Sequence, residues 1–347
     1  MKESLERSSI QDVAELEDLL SEPTPGAIRA LSELEGDILV LGSGGKMGPT
    51  LARMAKRASD ASGTSRRIIA ISRFSKPRLE QQLQGWGVQT LRCDLLERES
   101  LTSLPDAANI VYMAGMKFGS TRQEWLTWAM NTFLPALVCE RYFKSRIVVF
   151  STGNVYGISP VSSGGSREQD ALEPAGEYAM SCLGRERICE YFSMKNQTKM
   201  SIIRLNYACE LRYGVLVDIA QRVRAGQAVP LSMGYLNAIW QADACAMSLH
   251  AFAFASSPPF TVNVTGPELL GVRHLAEDFA KRWNTLARFD GTESADALLS
   301  NAQKAYQCFG QPRIPAAQIM AWVADWIERG GETWAKPTHF EERVGRF

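Results

Sequence analysis

Residues Asp37 to Ala58 read DILVLGSGGKMGPTLARMAKRA, and this stretch decides the fold class. Its four consecutive apolar residues, Ile38 to Leu41, are typical of a short strand that is buried on both faces of a parallel sheet. Apolar residues then recur with helical spacing from Leu51 to Ala58, so the first N–H groups of the predicted helix face the intervening loop. Three glycines in that loop have the spacing that lets a backbone turn tightly and approach a pyrophosphate: Gly42, Gly45 and Gly48. The unit predicts a dinucleotide site, and a glycine-rich turn without a ligand is the alternative.

The composition of the whole chain is that of an ordinary globular protein. Of its 347 residues, 45% are hydrophobic and 22% are charged, which suffices for one large or two interleaved domains. Lys plus Arg and Asp plus Glu both number 38, so no net field attracts nucleic acid or anionic lipid, and we expect neither as a partner. The start of the chain lacks a signal-peptide pattern and no apolar run approaches about 18 residues, so we expect a cytoplasmic protein without a membrane span.

Cysteine and histidine usage argues against disulfides and metal sites. The 7 cysteines are scattered without a CxxC pair, which predicts free thiols in a reducing compartment. The 3 histidines, His250, His274 and His339, lie far apart in the chain and have no ligand spacing. We therefore predict neither a metal site nor a histidine-based catalytic triad.

Further apolar segments extend the opening unit to a doubly wound α/β sheet. Five more strands are predicted at residues 67–72, 87–93, 109–113, 146–150 and 200–205, with a long helical stretch at about 121–142. We predict a Rossmann-type parallel sheet in residues 36–205, preceded by a helical extension in residues 1–35. Residues 206–347 are expected to form a smaller substrate lobe, partly interleaved because residues of about 236–265 return to the sheet.

The end of the second strand bears on the choice of cofactor. Ligands bind outside the carboxyl ends of the strands in a doubly wound sheet, and an acidic residue at this strand favours NAD, whereas a cation accommodates the 2′-phosphate of NADP. Here the residues are Ser72 and Arg73, and Lys46 adds positive charge from the glycine loop. We predict NADP as the cofactor, with NAD as the second choice. The alternative is that these cations are solvated surface charges.

Further candidate cofactor contacts follow the third and fourth strands. Asp94 is placed to accept a hydrogen bond from an adenine amino group, or it caps the helix that follows. Small residues after the fourth strand allow a cofactor to pass close to the backbone. The predicted contacts from the loop and these strand ends are Gly42, Gly45, Lys46, Met47, Gly48, Ser72, Arg73, Asp94, Leu95, Ala114, Gly115 and Met116.

The sharpest pattern follows the fifth strand, where residues 151–157 read STGNVYG and Tyr178 lies within PAGEYAMSCLGRE. The order and spacing of the motifs resemble the extended short-chain dehydrogenase/reductases, a family that contains nucleotide-sugar epimerases, dehydratases and related oxidoreductases. The motifs are the glycine loop, Asp94, Ala114 with Gly115, Asn131, STGNVYG, Tyr178 with Glu186, and VNVTGPE at 262–268. The resemblance covers about residues 37–345.

The resemblance implies a reaction and names its residues. Thr152 would hydrogen-bond the reacting oxygen, Tyr178 would be its general acid/base, and hydride would pass to or from nicotinamide C4. The family carries a lysine four residues after the tyrosine, which holds the nicotinamide ribose and lowers the tyrosine pKa, and here that position is Cys182. Tyrosine titrates near about pH 10 and needs a nearby cation to ionise at neutral pH. We predict Lys117 as the substitute, the alternatives being a cationic oxidised nicotinamide or slow or absent catalysis. Asn131, Tyr178 and Cys182 complete the expected cofactor contacts.

Departures from the family pattern reduce the number of reactions that the chain is expected to catalyse. Tyr191 and Lys195 do form a YxxxK, but this tyrosine lies too far after Thr152 to match the family. Dehydratases of the family place an acidic pair where this chain has Gly153 and Asn154, so a dehydratase is disfavoured.

The resemblance therefore implies an NAD(P)-dependent oxidoreductase or epimerase that acts at a hydroxyl-bearing carbon of a sugar, sugar acid or nucleotide sugar. A homodimer is expected by fold analogy alone. The alternative, motivated by Cys182, is a dinucleotide-binding sensor or scaffold that has lost catalysis.

Overall fold

A seven-stranded parallel sheet forms the centre of the protein. The computed structural model describes residues 8–117 and 122–345. The strands are β1 (Ile38–Leu41), β2 (Ile68–Ser72), β3 (Gln89–Arg92), β4 (Asn109–Tyr112), β5 (Arg146–Thr152), β6 (Met200–Leu205) and β7 (Phe260–Val264). Across the sheet they are ordered β7, β6, β5, β4, β1, β2, β3, so the winding reverses between β1 and β4. The predicted doubly wound, Rossmann-type fold is confirmed, and its reversal point is where such sheets bind ligands.

Helices cover both faces of the sheet in the described part of the chain. They are α1 (Val13–Leu20), α2 (Pro25–Ser32), α3 (Gly48–Ala61), α4 (Pro77–Gly85), α5 (Arg98–Thr102), α6 (Glu124–Trp128), α7 (Leu134–Arg141), α8 (Gly176–Asn196), α9 (Val215–Arg224), α10 (Gln241–His250), α11 (Val272–Arg282), α12 (Gln303–Phe309) and α13 (Ala316–Glu328). Alternate strand residues enter two cores: Ile38 and Val40 pack with α2, α3 and α10, whereas Leu39 and Leu41 pack with α7 and α8. None of the described helices combines the length and apolar composition needed to cross a bilayer.

The long helical stretch predicted at about 121–142 consists of α6, one π-helical turn (Ala129–Phe133) and α7. Residue 121 lies outside the described residues. The π turn carries Asn131, which is fully buried. Such single-turn insertions are frequent at functional sites.

The smaller lobe differs from the prediction in how it meets the sheet. Of the range 236–265 that was expected to return to the sheet, only Phe260–Val264 pairs with it, beside β6. Ile239–Trp240 instead pairs with Ala208–Cys209 in a separate two-stranded sheet. The apolar pattern of a strand was recognisable there, but its partner was decided by packing between segments that are distant in sequence.

The N-terminal extension contains the two predicted helices. Asp12 and Thr24 cap them, each accepting a hydrogen bond from a backbone N–H of the first turn. Helix α2 packs on α3 and α10, so the extension covers the helix that follows the glycine loop. Glu17 of α1 forms a buried ion pair with Arg212, at 2.6 Å, which ties the extension to the smaller lobe.

Candidate functional site

A cavity of about 490 Å³ lies at the carboxyl end of the sheet, beside the point where the winding reverses. Its walls come from the glycine loop, from the ends of β4, β5 and β6, and from the first turn of α8. Ten of the predicted site residues line it: Gly42, Gly45, Lys46, Met47, Gly48, Gly115, Met116, Lys117, Thr152 and Tyr178. The structure thus brings the glycine loop and the predicted catalytic residues to one space.

The glycine loop leaves no room for side chains at two of its glycines. Gly42 has φ +87°, and a Cβ there would lie 2.5 Å from the backbone nitrogen of Ala114. A Cβ on Gly48 would lie 2.3 Å from the carbonyl oxygen of Ser43. Helix α3 begins at Gly48, so its first N–H groups lie at the loop. The close backbone approach and the helix start fit the pyrophosphate of a dinucleotide.

Ser72, Arg73, Asp94 and Leu95 lie beside the loop and outside the lining of the cavity. A Cβ on Gly44 would lie 2.3 Å from Ser72 Oγ, which places this hydroxyl against the loop backbone. The Arg73 side chain is 75% exposed, with Nη1 3.8 Å from Asp94 Oδ2. Asp94 Oδ1 accepts a hydrogen bond from Leu96 N at 3.1 Å, and α5 begins only at Arg98, so Asp94 closes a turn instead of capping the helix.

The structure separates Lys46 from the Arg73 side of the loop. The predicted convergence of the two cations does not occur, because the Lys46 side chain turns toward the smaller lobe and its Nζ lies 3.1 Å from the centroid of the Tyr213 ring. Burial, reinforced by the charges of Lys117 and Lys336, lowers the pKa of Lys46 to about 7. Sequence spacing cannot give the direction of a long side chain, which is decided here by an aromatic ring 167 positions away.

Thr152 and Tyr178 meet at the wall of the cavity. Thr152 is the last residue of β5, Tyr178 lies in the first turn of α8, and both side chains line the cavity. Asn154 donates to Thr152 Oγ1 from its backbone N at 3.2 Å and from Nδ2 at 2.9 Å. With its oxygen accepting from Asn154, the Thr152 hydroxyl can direct its hydrogen toward Tyr178. Burial raises the pKa of Tyr178 above its ordinary value, and the nearby Thr152 side chain opposes that rise.

Comparison with known proteins identifies the family of this chain. The sequence model of the NAD dependent epimerase/dehydratase family matches residues 38–217, which is more than half of the chain. The chain belongs to this family. The match confirms the family that the order of the motifs predicted, although no curated protein sequence matches the chain significantly.

Solved structures of epimerases and dehydratases resemble this chain over most of its length. UDP-glucuronic acid 4-epimerase from Bacillus cereus, in complex with NAD, has 16% identity, covers 84% of this chain and 99% of its own, and superposes with a TM-score of 0.71. The dTDP-glucose 4,6-dehydratase from Bacillus anthracis, also with NAD, has 16% identity over 85% and 97%, with a TM-score of 0.71. UDP-glucose 4-epimerase from Thermotoga maritima, with UDP-glucose, has 15% identity over 85% and 99%, with a TM-score of 0.68. At these identities the likeness is one of fold.

The position of the usual family lysine is enclosed in this member. Cys182 is fully buried in a small apolar cluster against which Tyr178 packs. Lys117 Nζ lies 5.5 Å from the centroid of the Tyr178 ring, and burial lowers the Lys117 pKa to about 8. Tyr191, from the YxxxK that ends at Lys195, is 55% exposed and does not line the cavity.

Asn131 lies behind the cavity wall and holds the loop after β4. Its Oδ1 accepts from Met116 N and its Nδ2 donates to Met116 O, both at 2.8 Å, and Nδ2 also donates to Ser181 Oγ at 3.0 Å. Asn131 therefore fixes the backbone next to Lys117 from a position outside the lining of the cavity.

Several cavity residues were missed by sequence reasoning. Arg185 follows Tyr178 by seven positions, which is the same face of α8, so helical spacing could have identified it. Asn206, Tyr207, Tyr213, Gln241 and Thr338 also line the cavity. Thr338 is bonded through its N–H and hydroxyl to Asp218, at 2.6 and 2.5 Å, and no local signal in the sequence indicates this contact between segments 120 residues apart.

Proposed function

We propose that this protein binds NADP(H), or NAD(H) as second choice, and transfers hydride at a hydroxyl-bearing carbon of a sugar, sugar acid or nucleotide sugar. It acts as an epimerase or as an oxidoreductase. The observation that carries the proposal is that Thr152 and Tyr178 lie together in the wall of a cavity whose other wall is the glycine loop. One space thus combines a dinucleotide cradle with an acid/base pair.

Each residue has a defined part in the proposed reaction. The backbone of the glycine loop binds the pyrophosphate, and Thr152 orients the substrate hydroxyl by hydrogen bonding. Tyr178 accepts the proton of that hydroxyl, and returns it when the reaction runs backwards. Lys117 supplies positive charge beside the Tyr178 ring. The nicotinamide ring, when bound, supplies the hydride chemistry.

The lining of the cavity favours a polar substrate. Its uncharged polar side chains include Asn154, Asn206 and Gln241, while its fixed or titratable cations are Lys46, Lys117 and Arg185. No carboxylate is among the lining residues that the structure describes. Such a lining suits hydroxyl groups together with an acidic or phosphorylated substituent. A dehydratase remains disfavoured, because Gly153 and Asn154 stand where its acid and base would be.

Turnover of a panel of nucleotide sugars and sugar acids with NADP or NAD tests the reaction. Tyr178→Phe should reduce turnover by about 100- to 10,000-fold, the range expected for loss of a general acid/base, while leaving cofactor binding nearly unchanged. Tyr191→Phe, on the exposed part of the same helix, is the control and should retain full activity. Equal activity in parent and Tyr178→Phe would contradict the assignment.

Cofactor preference has its own test. Binding of NADPH and NADH to the protein, followed by the fluorescence of the reduced nicotinamide, should favour NADPH, and Arg73→Ala should remove the preference by weakening only NADPH binding. The exposed Arg187→Ala is the control. Tighter binding of NADH than of NADPH to the parent would establish NAD, the second choice, as the cofactor.

A binding protein without catalysis is the second candidate, and Cys182 is the observation that favours it. Its expected signature is tight binding of NADPH or NADH with no turnover of any panel compound, even after Cys182→Lys. Any turnover in the parent protein that Tyr178→Phe abolishes would exclude this candidate.

A further inference from the structure

Arg185 places a buried positive charge behind Tyr178. Tyr178, Cys182 and Arg185 follow one another at i, i+4 and i+7 in α8, so they share one face of the helix. Arg185 is only 6% exposed, although its side chain reaches the lining of the cavity.

The guanidinium is held by three hydrogen bonds to uncharged oxygens. Nη1 donates to Phe150 O at 2.6 Å, Nη2 to Asn131 Oδ1 at 2.8 Å, and Nε to Asn131 O at 3.3 Å. These bonds join α8 to the end of β5 and to the π turn that holds Met116. A Cβ on Gly115 would lie 2.6 Å from Nη2, so glycine at this position leaves room for the guanidinium.

No carboxylate is bonded to this cation among the described residues that surround it. The adjacent Glu186 is committed to Arg204, at 2.7 Å, and to Ser151. The other titratable groups that act electrostatically on Tyr178 or Arg185 are Tyr112, Cys182 and Cys189, while Lys117 and Glu186 act on the Cys182 between them. Burying a charge without a counter-ion costs roughly several kcal/mol of folding stability. The position of the Arg185 charge near a candidate acid/base therefore points to a functional use.

We propose that Arg185 is a positioning residue for the acid/base step: it keeps a permanent positive charge beside Tyr178 and so favours the ionised hydroxyl. The proposal rests on the proposed function, since it assigns Tyr178 the proton transfer. Arg185 acts through Tyr178 and complements Lys117, whose own positive charge is partly lost near neutral pH because burial lowers its pKa to about 8. The arginine charge persists at every pH that the protein survives.

The ionisation of residue 178 tests this directly. 3,5-Difluorotyrosine at position 178 of the full-length protein provides a ¹⁹F resonance that reports its protonation, and its phenol is more acidic than that of tyrosine. Arg185→Met should raise the titration midpoint by at least about one pH unit, a tenfold fall in the acid dissociation constant. Arg187→Met, at an exposed position of the same helix, should leave the midpoint unchanged.

Two further variants separate charge from packing. Arg185→Lys keeps the charge without the forked hydrogen bonds and should titrate near the parent midpoint, and Cys182→Lys added to Arg185→Met should restore it. The proposal is overturned if Arg185→Lys shifts the titration midpoint of residue 178 as far as Arg185→Met does, or if Arg185→Met folds and leaves that midpoint unchanged. It is also overturned if residue 178 of the parent protein stays protonated until the protein unfolds. Where Arg185→Met does not fold, Arg185→Lys decides alone. The titration uses no substrate, so inactivity on the sugar panel would overturn the proposed reaction without changing this result.

Discussion

Gly42 and Ala114 meet at the narrowest point of the site. The loop backbone turns at Gly42 with φ +87°, a conformation that side chains other than glycine rarely adopt, and passes directly over Ala114. The distance from a Cβ at position 42 to the Cβ of Ala114 would be 3.0 Å, in addition to the backbone clash. The conformation of the glycine loop therefore depends on the absence of a side chain at position 42.

Gly42→Ala is expected to lower NADH affinity at least about tenfold and the free energy of unfolding by about 1–3 kcal/mol, because it adds backbone strain and displaces the loop. Fluorescence titration and urea unfolding measure the two effects. Gly85→Ala is the matched control: no heavy atom lies within 4 Å of its added methyl group, and it should bind NADH as the parent does. Parent-like binding by Gly42→Ala would contradict the cradle.

At the scale of elements, helix α1 is joined to the cavity wall through a buried charge cluster. Arg212 donates from Nη1 to Glu17 of α1 at 2.6 Å and from Nε to Glu210 at 3.0 Å. The next residue, Tyr213, carries the contact with Lys46. The N-terminal extension thereby stabilises the segment that closes one side of the cavity.

Glu17→Ala should lower the free energy of unfolding by about 3–5 kcal/mol, because it leaves Arg212 with one buried partner fewer. Its neighbour Asp18 provides the control. The Asp18 side chain is 63% exposed where it meets Arg53, so Asp18→Ala should cost less than about 1 kcal/mol. Urea unfolding measures the free energy of unfolding of both variants. Similar losses in the two would show that burial of the charge cluster does not determine its contribution to stability.

The same cluster predicts a pH effect on stability. Burial of Glu210, opposed by the Arg212 charge, raises the Glu210 pKa from 4.5 to about 7. Between pH 4.5 and 7 the folded protein thus binds more protons at this group than the unfolded chain does, so its contribution to stability falls as pH rises. Glu210→Gln imitates the protonated carboxyl. Between these two pH values its free energy of unfolding should rise relative to that of the parent protein by up to about 3 kcal/mol. Urea unfolding at both pH values measures the gain, and a pH-independent difference would refute it.

At the scale of the molecule, two neighbouring helical elements expose apolar side chains. Helix α8 packs against α6, the π turn and α7, and the outer surface carries Trp125 (72% exposed), Phe133 (52%), Met180 (45%), Tyr191 (55%) and Met194 (51%). On α8 the three exposed residues lie within one face of the helix. Exposed apolar side chains on neighbouring helices are typical of interaction sites, so we expect a second copy of the chain to pack on them with two-fold symmetry.

The double variant Trp125→Asp/Tyr191→Asp should convert a homodimer into a monomer, as measured by light scattering after gel filtration. Leu286→Asp changes a residue that is 83% exposed outside this surface and should leave the dimer intact. A parent protein that is monomeric at micromolar concentration, or a double variant that stays dimeric, would contradict the prediction.

Most of the sheet was predictable because its signals are local. Buried parallel strands appear as short apolar runs, and residues 200–205 were identified with both ends correct. The fifth strand was predicted to end at residue 150, yet pairing with β6 continues to Thr152. That extension places Thr152, the candidate catalytic threonine, on the strand itself, and it follows from the partner strand rather than from local composition.

The sequence by itself determined the fold class, the glycine loop and the pairing of Thr152 with Tyr178 as candidates, because each depends on periodicity, glycine conformation or motif order within short segments. Only the tertiary structure decided where Lys46 points, which buried cation stands behind Tyr178, and that Thr338 closes the cavity. These depend on contacts between distant segments: Lys46 with Tyr213, Arg185 with Asn131 and Phe150, and Thr338 with Asp218. A linear pattern records the spacing of side chains along one element, whereas packing determines which elements those side chains meet.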